Sequence, residues 1–446
     1  MIGIRGARVV VVDDDETEAL PIMQAFARNG VSTAFFNGRP RGLPKKENRL
    51  KGVRLAVLDM DVVGGGVGDA NKVATLCKVV ASILSPENGP YVAIAWTKHP
   101  ELQRQFEEYM FRLNGFPKPI LTVAIEKAKC KLKNGKFDMT CIAQRVGEAL
   151  DEINPFMFLQ AWEEKAFDAA SDVTNALSDI TDVEAPDYRQ WRIQWRTSVL
   201  GLMRALAAAV AEQHLNASSC IAALCDGLNP LHADRMENNS TGLSEEFASQ
   251  SESILAATAD CGVERRGKMN AMLHLGFDNL PSSSAGGVFR FLLGHKPKWV
   301  PSASSLLDDL IQPMDTVERT EERKAEVLAA AVPILVEVSP VCDHAQRNIR
   351  VPRFVAGVIV PEAFVKKLKK AAGFAWHLGP VHLDQPFMPS GEYAFVLSAR
   401  HLVTQNKKRT ESLRSSARLR AQALGDLNAW LFHHASRPGM TFLHSR

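Results

Sequence analysis

Short β-branched runs alternate with amphipathic stretches over the first 150 positions of the chain. Val9-Val-Val-Val12 is continuously apolar and ends in Asp13, Asp14 and Asp15, the pattern of a strand buried on both faces that delivers acidic groups to the carboxyl edge of a parallel sheet. Positions 16–29 place Leu20, Met23, Phe26 and Ala27 at helical spacing, closed by Asn29-Gly30. A second strand follows at 31–36, then a polar, basic loop at 38–51 and a third strand at 53–59 ending in Asp59. The glycine-rich loop 60–68 frees the backbone beside that carboxylate. The pattern then predicts a helix over 69–84, a strand over 91–97, a helix over 99–113, a strand over 120–125 and a helix over 138–153. Strands alternating with helices imply right-handed crossovers and an α/β domain with a doubly wound five-stranded parallel sheet.

The period changes after this region. Residues 154–331 show little strand character and many Ala- and Leu-rich helical windows, notably 155–180 and 188–215. Trp191, Trp195, Val199 and Met203 form a stripe at helical spacing, which reads as core. Breaks fall at 238–242 and 281–287, and the second lacks the Gly-Lys-Ser/Thr that would bring a lysine onto phosphates. The charged run 316–324 leads into strand-like segments at 332–339, 353–360, 375–383 and 393–398, with a long helix over 411–434. The expected organisation is an α/β domain at 1–153, a helical domain at 154–330 and a small α+β or barrel domain at 331–446. The last arrangement faintly resembles the SH3-like barrels of bacterial conflict and toxin systems.

Composition narrows the classes. The 446 residues are 46% hydrophobic and 23% charged with a net charge of +3, so no global field points to nucleic acid or anionic lipid. Seven cysteines without a CxxC pair fit a reducing compartment, and Cys220 and Cys225 lack neighbouring histidines for a zinc site. The absence of a signal-like or membrane-spanning run leads to the expectation of a cytoplasmic protein with no membrane partner. Residues 401–446 hold eight Lys or Arg against two acidic residues, about +6, which could contact an acidic partner or nucleic acid. Aromatic interleaving is sparse there, so a solvated basic helix is the plainer reading.

In a doubly wound sheet the polar residues at the strand ends share one crevice. Here they are Asp13, Asp14, Asp59, Thr97 and a lysine. Paired carboxylates can hold magnesium, a third can accept a phosphoryl group, and hydroxyl and ammonium groups can bind its oxygens. The segments Val-Asp-Asp-Asp15, Val-Leu-Asp-Met-Asp61 and Ile-Ala-Trp-Thr97 resemble the motifs of response-regulator receiver domains, over about a third of the chain. That resemblance implies a flavodoxin-like fold, Asp13, Asp14 and Asp59 around Mg2+, Asp59 as phosphoacceptor, and Thr97 following the phosphoryl group. It also requires a lysine. Lys118-Pro119 matches the family's dipeptide, but Lys127 lies at the carboxyl end of the expected fifth strand and is favoured, with Lys118 the alternative. The family's aromatic switch residue precedes neither lysine, and glycine replaces its usual proline after the phosphoacceptor.

Leu58-Asp-Met-Asp61 also resembles the first motif of haloacid-dehalogenase-type phosphatases, with Asp59 as nucleophile and Asp61 as acid, although that fold puts the motif on its first strand. Cys342, Asp343 and His344 form a compact reactive cluster that His377 or His382 could join, but a structural turn with a buried cysteine is the plainer reading. His232, Asp234 and Arg235 read as an ordinary helix N-terminus ahead of any catalytic role. The expected function is bacterial signalling by an atypical response regulator, in a context that resembles anti-phage defence. Its partner would be a kinase-like ATPase or another protein, and a homo-oligomer is compatible. The alternatives are a non-phosphorylated scaffold or an enzyme using Cys342 and His344.

Overall fold

The computed structural model describes residues 6–62, 69–151, 154–181, 184–211, 215–216, 219–248, 255–256, 261–277, 284–291, 296–345, 349, 351–369 and 373–435. Two compact units divide the chain, Met1–Asp172 with Ala233–Ala256, and Val173–His232 with Ala257–Arg446.

In the first unit β1 (Val9–Val12), β2 (Thr33–Phe36), β3 (Leu55–Leu58), β4 (Tyr91–Thr97) and β5 (Pro119–Glu126) form a parallel sheet. Its order, β2-β1-β3-β4-β5, is that of a flavodoxin-like sheet. Helices α1 (Glu16–Arg28), α2 (Asp69–Ile83), α3 (Leu102–Arg112) and α4 (Met139–Asp151) connect and cover it. Alternation along the strands explains why both faces are dry. Val10, Val12, Ala56 and Leu58 pack with Leu76 of α2 and Phe106 of α3, while Val9, Val11, Leu55 and Val57 pack with Ile22 of α1 and Ile142 of α4. The third strand starts two residues later than the pattern suggests, because the Val53 N–H is drawn instead to the Asn88 side chain at 2.9 Å. Residues 63–68 of the glycine-rich loop lie outside the described residues.

Helix α5 (Asn154–Ile180) brings Glu163 to this sheet's amino edge, where it accepts from Arg54 at 2.9 and 3.0 Å and lies 2.8 Å from Arg8. Helices α6 (Tyr188–Ala211) and α7 (Cys220–Ser240) follow. The aromatic stripe on α6 differs from its expected role. Tyr188, Trp191 and Trp195 stack along the helix at 6.0 and 6.2 Å, both tryptophans are only half-buried, and Met203 is exposed. The fully covered positions lie in the last turns, where Ala207 and Ala211 meet Ala223 and Leu224 of α7, the alanines letting the two helices approach closely. His232, Asp234 and Arg235 sit inside α7 and not at a helix N-terminus, with Asp234 accepting from Asn238 one turn on.

The second unit contains one curled antiparallel sheet. Its strands are β6 (Leu275–Gly276), β7 (Gly287–Arg290), β8 (Val332–Glu337), β9 (Arg353–Pro361), β10 (Ala375–Leu383), β11 (Gly391–Thr404) and β12 (Ala417–Leu419), in the order β10-β11-β9-β8-β7-β12-β6. Both faces are covered: Val355 and Ile359 of β9 face one apolar cluster, and Phe354, Ala356, Val358 and Val360 face another that includes Leu306, Leu307 and Val327. Two expectations are corrected here. The helix over 411–434 is interrupted by β12, and helix runs only from Ala421 to Ala435, because buried Ala417 and Leu419 alternate with exposed Arg418 in a strand pairing with β6 and β7. Those two partner strands lie in a stretch that lacks strand character in sequence: β6 has two residues, and β7 lacks an unbroken apolar run.

Candidate functional site: an acidic cluster closed by Lys127

All five strands of the first sheet run the same way, so residues following their carboxyl ends converge on one edge. Asp13 follows β1, Asp59 follows β3, Thr97 ends β4 and Lys127 follows β5. Asp13, Asp59, Thr97 and Lys127 are all buried, whereas Asp14 is exposed at the rim. Ligand atoms of Asp13, Asp14 and Asp59 lie within 4.8 Å of one another. The Lys127 Nζ stands 3.0 Å from Asp59 and 3.2 Å from Asp13.

Lys118 is placed elsewhere. It precedes β5 at the opposite edge, with its Nζ 4.0 Å from the centre of the Phe111 ring. Thr97 keeps its hydroxyl at the acidic edge, where the Oγ1 accepts the His99 N–H at 2.9 Å. Asp61 is turned to another set of partners, 2.6 Å from Lys72 and 3.5 Å from His99.

The backbone fixes the two buried carboxylates. Asp13 Oδ1 accepts the Asp15 N–H at 2.9 Å, and Asp59 Oδ1 accepts the Asp61 N–H at 3.2 Å. One participant was not singled out from sequence. Glu18, in the first turn of α1, reaches Lys127 with Oε2 at 2.5 Å while Oε1 lies 3.6 Å from Lys131 and 3.8 Å from Lys98. Its position four residues after Asp14, one helical turn into an acidic helix start, was the available signal.

Electrostatics follow from this crowding. Burial pushes the Asp13 carboxyl up to about 6, with the Asp59 charge adding to it and Lys127 opposing. Burial also raises Asp59 above the usual carboxylate range, although Lys127 and the Asp61 N–H pull the other way. Glu18 is pushed up by burial, but the bond and charge of Lys127, with Lys98 and Lys131, outweigh it and hold the carboxyl low. Lys127 stays firmly protonated: burial disfavours its charge, and Asp59, Glu18 and Asp13 more than compensate. Carboxylates pushed up by burial are short of positive charge, and an all-oxygen donor set of Asp13, Asp14 and Asp59 has the chemistry to hold a hard divalent cation such as Mg2+.

The other sequence candidates fall in different surroundings. Residues 341–345 form a short helix. His344 lies 2.5 Å from buried Glu337, and the Cys342 side chain is outside the described residues. His382 pairs across the β10–β11 ladder with Glu392 at 2.6 Å. No helix among the described residues is long and apolar enough to cross a membrane.

No family model matches this chain, and neither a curated protein nor a solved structure matches it.

Proposed function

We propose that the first unit is an atypical response-regulator receiver domain and that Asp59 is its phosphoacceptor. The observation that carries this reading is the approach of the Lys127 ammonium to Asp59, 3.0 Å, at the same sheet edge as the Asp13, Asp14 and Asp59 oxygens. A bare acidic edge is common; a buried lysine reaching across it from the last strand is a far more restrictive arrangement.

The chemistry is an in-line displacement. An Asp59 carboxylate oxygen forms a bond to the phosphorus of an acyl phosphate or phosphohistidine donor, and the donor's bond to phosphorus breaks with its electron pair leaving on the donor. Lys127 neutralises charge on the transferred group, and the Thr97 hydroxyl, whose present bond is to the His99 backbone, supplies a donor for a phosphoryl oxygen. Asp13, Asp14 and Asp59 would hold a magnesium ion, which supplies charge neutralisation on the phosphoryl oxygens when bound. The added charge on Asp59 then changes which partners the carboxyl edge attracts. A kinase-like ATPase or a small acyl phosphate is the expected donor.

The test is incubation of the full chain with acetyl phosphate and Mg2+, followed by intact mass. Gain of one phosphoryl group that disappears in Asp59→Asn and in chelator supports the reading. No gain under any condition, in wild type or in a chain whose Lys127 is freed of Glu18, overturns it, and leaves the sheet as a docking module in which the ion cluster only stabilises the fold.

A further inference from the structure

Lys127 has three N–H donors and meets three carboxylates, Asp59 at 3.0 Å, Asp13 at 3.2 Å and Glu18 at 2.5 Å. Its donor capacity is therefore full. Before the Asp59–phosphorus bond forms, a phosphoryl oxygen of the incoming donor can reach Lys127 only by displacing one of the three. Asp13 and Asp59 are poor candidates to let go, because their side chains are 1% and 7% exposed and each is anchored by a backbone N–H. Releasing either before that bond forms would strand a buried charge.

Glu18 differs on each count. Its side chain is 17% exposed, it hangs from a helix by a flexible stem, and its two oxygens divide their partners: Oε2 to Lys127, Oε1 toward Lys98 and Lys131. Lys98 and Lys131 are themselves 62% and 37% exposed, so they can follow the carboxylate as it moves. We propose that Glu18 is an internal competitor for Lys127, holding its third N–H until the incoming phosphoryl group at Asp59 displaces it, whereupon Lys98 and Lys131 take the freed carboxylate. Glu18 is thus a positioning residue and a brake, and the inference rests on Asp59 being the phosphoacceptor. The brake sets a threshold: weak donors meet a lysine already occupied, and only a group that offers Lys127 a better partner engages it.

The experiment compares wild type, Glu18→Gln, Lys98→Ala/Lys131→Ala and Asp59→Asn for phosphorylation by acetyl phosphate with Mg2+, and measures binding of magnesium beryllofluoride, a phosphoryl mimic, by calorimetry. Rates are read at saturating acetyl phosphate, where steering of the anionic donor no longer contributes. Glu18→Gln should raise the saturating rate and tighten beryllofluoride about tenfold, the size of change expected when a charge-assisted bond is exchanged for a neutral one. The double lysine variant should move both quantities the other way, because Glu18 loses its alternative partners. A merely structural role for Glu18 would make Glu18→Gln slower or leave it unchanged. That result, with wild type accepting phosphate, overturns the brake and leaves the phosphoacceptor reading standing. If wild type and Glu18→Gln both fail to take phosphate or beryllofluoride, the phosphoacceptor reading falls and the brake falls with it. Uptake in Glu18→Gln alone, lost when Asp59→Asn is added, supports both.

Discussion

Lys127 stands 3.2 Å from Asp13 and 3.0 Å from Asp59, so removing it leaves buried carboxylates without this counter-charge. Lys127→Ala should therefore destabilise the first unit by about 3–5 kcal/mol, the range for stranding a buried charge. Lys118→Ala removes an exposed contact with Phe111 and should cost no more than about 1 kcal/mol. Amide hydrogen exchange along β1 separates the two. The same residues set a pH dependence. Asp13 has its folded pKa raised from 3.8 to about 6, so between those values the folded state holds the extra proton. Its contribution to stability consequently falls as pH rises from about 4 to 6 and is flat above, by up to about 3 kcal/mol for a shift of this size. Asp59 is shifted in the same direction and adds to the trend, while Glu18 and Asp61, held low, act in the opposite sense. The gap in β1 protection between Asp13→Asn and wild type isolates the term: it should move in favour of the variant from pH 4 to pH 7. Mg2+ should protect wild type more at pH 7.5 than at pH 5, where Asp13 must first lose its proton.

Elements were legible where one period ran long enough to be read. The four-valine run, the seven residues of Tyr91–Thr97 and the helices of the first unit were all visible as alternations of period and hydrophobicity, and with them the position of Asp13, Asp59, Thr97 and Lys127 at one edge. Glu18 was hidden because a helix-start glutamate is ordinary in sequence and becomes part of a site only through its three-dimensional neighbour Lys127. Strands β6, β7 and β12 were hidden for another reason: β6 and β12 have only two and three residues, β7 lacks the unbroken apolar run of β1, and their identity is set by distant partners, as in the pairing of Leu419 with Leu275. Close approach between strands is equally silent. Gly357 on β9 reads as a weak point in a strand, yet a Cβ there would lie 2.2 Å from the Val396 carbonyl oxygen on β11. That oxygen and the Leu397 Cα, 2.8 Å away, are backbone atoms in a paired ladder and cannot swing aside. Gly357→Ala should lower the stability of the second unit by about 2–3 kcal/mol, an overpacking cost, read as a fall in the melting temperature of its β-sheet signal.

At the scale of the whole chain, charge is what a partner meets first, and +3 over 446 residues is close to balance. Among the described residues the basic excess of 401–446 is dispersed. Arg414 donates to the Glu411 and Leu413 carbonyls and Arg420 to that of Leu275, so these guanidiniums serve the local fold. Lys407, Lys408 and Arg409 are exposed together on one short turn, and Arg418 points outward from β12. Arg437 and Arg446 lie outside the described residues. A polyanion such as duplex DNA gains affinity from each phosphate neutralised at once, with log K falling against log salt by about 0.9 per contact. Three basic residues on one turn then give a slope of about −3, where all eight acting together would give about −7. A filter-binding titration of the full chain on duplex DNA from low to physiological salt reads that slope directly. A shallow slope that flattens further in Lys407→Glu/Lys408→Glu assigns the contact to that turn and makes it too weak to be the chain's principal partnership. A slope near −7 would mean that the dispersed cations gather on the nucleic acid, and the search for a partner would move from the carboxyl edge at Asp59 to the second unit.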